Sequence, residues 1–121
     1  MTQEQKRPSP NTCWIMSSRD LPRKRHDGWF RVTKADGSES VIVLRKRKRQ
    51  MLEALMRSHV YCASPVRLSD VVNLLRHNYG IDIETVYFEE DHGDDVTRYG
   101  VYVLADKVEY IERRAALEVA A

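Results

Sequence analysis

The chain has 121 residues, 42% of them hydrophobic and 31% charged, with a formal net charge of +2. That length suits one domain with a single core. No apolar run approaches the roughly 18 residues of a membrane helix, and no charged start leads into an apolar stretch and cleavage site, so a cytoplasmic protein is expected.

Cys13 and Cys62 lie far apart without CxxC spacing, which excludes a disulfide framework or zinc cluster and leaves two reduced thiols. The small net charge hides a strong asymmetry. Residues 1–49 hold 13 Lys and Arg against 5 Asp and Glu, a net +8, whereas residues 50–121 hold 7 against 13, a net −6. A basic half of this size favours a polyanion such as nucleic acid.

Residues 1–27 combine proline, serine and basic residues with few apolar positions, so a flexible basic arm is expected there, with Arg23, Lys24 and Arg25 free to follow phosphates. Cys13-Trp14-Ile15-Met16 is an apolar exception that either docks on the domain or adds an edge strand. From residue 28 to 121 the pattern is that of a folded domain. Trp29–Thr33 and Ser40–Leu44 are β-branched and aromatic runs flanking Lys34-Ala35-Asp36-Gly37-Ser38, a hairpin signature.

Arg45-Lys46-Arg47-Lys48-Arg49 then leads into Gln50–Arg57, where Met51, Leu52, Leu55 and Met56 make a helical stripe. Five cations at a helix N-terminus oppose one another and the macrodipole, so a partner anion is the expected reason for them. Ser64-Pro65 and Ser69 both offer the start of the next helix. Leu68, Val71, Val72, Leu75 and Tyr79 then form one apolar stripe, and Gly80 stops the helix in a left-handed cap.

Ile81, Ile83, Thr85 and Tyr87 alternate as a strand does. A second run at Tyr99, Val101 and Val103 follows the turn His92-Gly93-Asp94, so the two pair as a hairpin. Asp106 and Glu109 have capping-box spacing, which predicts a terminal helix over 107–117 with Val108, Ile111 and Ala115 on its apolar stripe. That stripe returns to the core or forms a homodimer.

Leu75-Arg76-x-x-x-Gly80-Ile81-x-Ile83-x-Thr85, followed by Arg98-Tyr99-Gly100-x-Tyr102-x-Leu104, resembles the helix-to-wing segment of small bacterial and bacteriophage winged helix-turn-helix domains. The resemblance spans about residues 46–104. It implies an α+β fold, a small helical bundle with a C-terminal β-hairpin wing, here with an additional N-terminal hairpin. It further implies a double-stranded DNA-binding protein, a small transcriptional regulator of bacterial or phage type. In that reading the solvent side of helix 68–79 meets base edges through Ser69, Asn73, Arg76 and His77. Arg45, Lys46, Arg47, Lys48 and Arg49, with Arg23, Lys24 and Arg25, meet phosphates.

Glu89, Glu90, Asp91, Asp94 and Asp95 crowd the wing turn, where their charge repels a phosphate backbone. Their spacing does not make an EF-hand loop. No nucleophile elbow, phosphate loop or paired metal motif occurs, so no catalytic residue, metal or cofactor is expected. The competing expectation is a winged-helix interaction module that binds a basic or apolar protein partner and no DNA. What separates the two is whether the basic run and the exposed side of helix 68–79 share one surface.

Overall fold

Nearly every run that alternates in the sequence becomes a paired strand. The computed structural model describes residues 8, 10–23, 26–63 and 68–112. In chain order the strands are β1 (Cys13–Ile15), β2 (Gly28–Thr33), β3 (Glu39–Leu44), β4 (Val60–Cys62), β5 (Ile83–Asp91), β6 (Val96–Leu104) and β7 (Lys107–Ile111). The helices are α1 (Lys46–Arg57), between β3 and β4, and α2 (Ser69–His77), between β4 and β5. One sheet runs β1-β4-β6-β5 and the other β3-β2-β7.

The winged helix-turn-helix expectation is overturned by this architecture. Seven strands in two sheets carry the described residues, and two short helices make no helical bundle. Local patterns were compatible with either outcome. Pairing between distant segments decided it, because β4 is wedged between β1 and β6 just ahead of Ser64-Pro65, one of the two helix starts the sequence offered. The Ser64-Pro65 start itself lies outside the described residues, and α2 begins at the other candidate, Ser69.

The terminal helix is corrected too. Lys107–Ile111 pairs antiparallel with β2, so Val108 meets Val32 and Tyr110 meets Phe30. An edge of β2 would otherwise leave its N–H and C=O groups unpaired, and Val-Glu-Tyr-Ile suits a strand better than a helix. Asp106 serves the fold differently from a helix cap. Its carboxylate accepts from the Asp82 N–H at 2.8 Å and from the Lys34 ammonium, which also donates to the Gly80 carbonyl. This clasp joins the β2–β3 turn to the end of α2 and the base of β5. Of the expected stripe, Val108 packs against the core and Ile111 is buried, while Ala115, with the rest of residues 113–117, lies outside the described residues.

The β2–β3 hairpin and the end of α2 have clear local causes. In the β2–β3 turn Gly37 takes φ 87°, while the Asp36 carboxylate accepts from the Ser38 N–H at 2.9 Å. At the far end of α2 Gly80 takes φ 65° and the Ile81 N–H returns to the Leu75 carbonyl at 3.1 Å, ending the helix. The chain then enters β5.

One core draws on both sheets and both helices: Phe30, Val32 and Leu44 from β2 and β3, Met51, Leu52 and Leu55 from α1, Val72 and Leu75 from α2, and Ile15, Val60 and Ile83 from the other sheet. The apolar patch at 13–16 contributes β1, parallel to β4, and its Ile15 is completely buried. Such a burial contributes about 1.5 to 3 kcal/mol, ample reason for this short strand to dock. A 3-10 turn, Ser18–Asp20, follows, and Leu21 is buried next to it.

Candidate nucleic-acid interface

The basic run enters α1 without a conventional cap. Arg45 occupies the cap position in extended conformation, no side chain closes the first turn, and that turn contains no acid. Lys46 takes φ 55°, in the left-handed region that a lysine adopts only at a cost of order 1 kcal/mol or more. Arg45, Lys46 and Arg47 are exposed. Free N–H groups, the positive end of the helix dipole and three exposed cations therefore coincide.

Lys48 leans away from this group to the end of α2, donating to the Tyr79 hydroxyl at 3.4 Å with its ammonium 5.6 Å from the ring centre. The contact is favourable because the C-terminal end of α2 is the negative end of its dipole. It sets the first turn of α1 beside the last turn of α2. Gln50 donates to the Pro22 carbonyl at 2.6 Å, which holds exposed Arg23 close to the same end of α1. Lys24 and Arg25 lie outside the described residues.

Arg49 departs from its four neighbours. It is only 6% exposed, donates to the carbonyls of His26 (2.9 Å) and Asp27 (3.2 Å), and pairs with buried Glu53 at 3.5 Å. A Cβ at Gly28 would come within 2.8 Å of its Nε, so the glycine makes room for the guanidinium. The structure thus gives Arg49 to the interior of the fold.

On α2, Ser69, Asn73 and His77 are exposed at i, i+4 and i+8 and form one stripe. Arg76 is half-buried and faces β5: Nε donates to the Ile83 carbonyl and Nη2 to the Thr85 hydroxyl, both at 2.8 Å, and Nη1 reaches Asn73 Oδ1 at 3.4 Å. Its guanidinium also sits 5.6 Å from the Tyr102 ring centre. Those donors are engaged within the chain, so Arg76 positions the helix against the hairpin while the other three face solvent.

Two of the acids at the β5–β6 turn build the turn itself. Asp91 accepts from the Gly93 N–H and Asp95 from the Val96 N–H, each at 2.8 Å, and Gly93 takes φ 91°. Both hairpin strands are mostly exposed toward this tip.

Cys13 and Cys62 are free and half-buried on the adjoining strands β1 and β4. Desolvation first, and Cys13 nearby second, push the Cys62 thiol up to about 12. Since the thiolate is the reactive form, Cys62 should alkylate about a hundredfold or more slowly than an unhindered thiol near neutral pH, measurable by mass spectrometry in a Cys13→Ser variant.

One surface feature escaped the sequence reading: a group of rings on the sheet β1-β4-β6-β5. Trp14 lies 5.2 Å from Tyr61 and 6.4 Å from Tyr99, and Tyr99 lies 5.7 Å from Tyr61 and 6.0 Å from Phe88. Phe88 and Tyr99 fall opposite each other in the hairpin register, which alternation alone could have suggested. The parallel pairing that brings Trp14 to Tyr61 has no local signature.

No helix among the described residues is long and apolar enough to cross a membrane. No family model, curated protein or solved structure matches the chain.

Proposed function

We propose that this protein binds double-stranded DNA, as a small regulatory protein of the cytoplasm, with the start of α1 on phosphates and the exposed stripe of α2 toward the groove. The observation that carries the reading is the Lys48–Tyr79 contact, which joins the first turn of α1, next to exposed Arg45, Lys46 and Arg47, to the segment just after the helix bearing Ser69, Asn73 and His77. Cations on long stems at an uncapped helix start suit phosphate oxygens, and an exposed serine, asparagine and histidine suit base edges. Arg23 extends the same basic end. The acidic hairpin tip stays clear of the backbone in this arrangement, since its charge opposes contact.

Fluorescence anisotropy with a labelled mixed-sequence duplex tests the proposal. Affinity should fall steeply with salt, and replacing Arg45, Lys46 and Arg47 together with glutamine should weaken binding about tenfold and reduce the log–log salt slope by about 2.7, or 0.9 per phosphate contact. Folded protein that binds no duplex at low salt overturns the reading.

A further inference from the structure

The described surface carries a second feature, of opposite charge to the first. Register alternation places Phe88, Tyr99, Glu90 and Thr97 on one face of the β5–β6 hairpin, and the ring contacts add Trp14 and Tyr61 to that face. These residues line an open groove of about 910 Å³, together with Met16 and the acids Glu89 and Asp91. Trp14 is 46% exposed and Met16 59%, so apolar surface here meets water rather than the core. Arg98, the hairpin's basic residue, is held 4.3 Å from the Tyr87 ring centre, and Tyr87 lies across Gly100 on the opposite face. Arg98 is absent from the groove lining; of the acids that contribute to it, Glu90 shares the ring face, while Glu89 and Asp91 alternate to the other face of the strand.

From this geometry we propose that the outer face of β1-β4-β6-β5 docks an extended, basic, proline-containing segment of a partner protein. Three observations select that occupant. Exposed tryptophan and tyrosine faces attract lysine and arginine heads, most strongly at tryptophan. Glu90 on the ring face, with Glu89 and Asp91 elsewhere in the lining, supplies the complementary charge and repels nucleic acid. Pro8 and Pro10 of this chain line the groove beside the rings, so the lining is compatible with proline. Extended proline-containing segments lose little entropy on docking, and aromatic grooves are the surfaces they fit. The site is distinct from the basic end of α1 and does not depend on duplex binding.

Anisotropy of a short fluorescein-labelled peptide of alternating lysine and proline, titrated with the full-length chain, tests the proposal. Saturable binding is expected, weakened about tenfold by Trp14→Ala and about tenfold by Glu89→Gln, Glu90→Gln and Asp91→Asn combined, as for loss of an anchor ring or of the facing charges. The acid triple lies on exposed strand, so it reports even if Trp14→Ala unfolds. Removing three acids elsewhere, Asp36→Asn, Glu39→Gln and Asp70→Asn, should leave affinity within about twofold. Absence of saturation, an equal loss in that control, or displacement of the peptide by oligothymidylate each overturns the proposal, the last by making the rings a single-strand stacking site.

Discussion

Glu53→Ala will lower the stability of the fold by about 3 to 5 kcal/mol in urea denaturation, because it strands a buried cation. Arg49 and Glu53 are 6% and 8% exposed, and their closest approach is a long 3.5 Å. The attraction itself is therefore modest. What the substitution exposes is the cost of a guanidinium left among the carbonyls of His26 and Asp27, with the Tyr110 ring centre 5.4 Å away and no carboxylate. Arg49 Nε and Glu53 Oε2 already have no hydrogen-bond partner, so the site has little capacity to absorb a further loss. Arg49→Met combined with Glu53→Leu should recover most of the stability. Equal losses in the single and double variants would show that packing volume, not the orphaned charge, sets the cost.

The same pair shows how far local sequence reasoning reaches. Arg45 to Arg49 look alike as a run, and all five were expected on phosphates. Helical periodicity already distinguishes the last of them: Arg49 shares a face with Leu52, Glu53 and Met56, and an acid four residues on is the partner such a position needs. The β2–β3 and β5–β6 hairpins, the body of α1 and the Gly80 stop were legible because each depends on residues within one turn or one hairpin. The β1–β4 pairing and the capture of Lys107–Ile111 by β2 were not, because short strands pair here across tens of intervening residues. For residues 107–111 a capping-box spacing competed with β-branched and aromatic side chains. The open edge of β2 decided it. Together these long-range pairings turn a chain with helix and hairpin patterns into a two-sheet protein, and those of the sheet β1-β4-β6-β5 assemble the ring cluster from four separate strands.

Arg76→Ala should destabilise the protein by about 2 to 3 kcal/mol, as removal of a charged donor from two partly buried hydrogen bonds does. The sequence suggested an exposed reader of bases whose loss would cost roughly 0.5 kcal/mol or less. Two 2.8 Å bonds, to the Ile83 carbonyl and the Thr85 hydroxyl, instead fasten the end of α2 to the start of the long hairpin. Arg76→Lys should recover little of the loss, since an ammonium cannot serve both acceptors with the fixed fork of a guanidinium. Thr85→Val should cost less than Arg76→Ala, because the bond to Ile83 survives it. On DNA, Arg76→Ala should weaken selected and random duplexes to the same extent, acting through the placement of Ser69, Asn73 and His77 rather than through a base. Thermal unfolding measured beside anisotropy separates the roles. A variant that melts like the parent yet loses affinity only for a selected site would mean that the guanidinium leaves β5 to read a base, and the positioning role would fail.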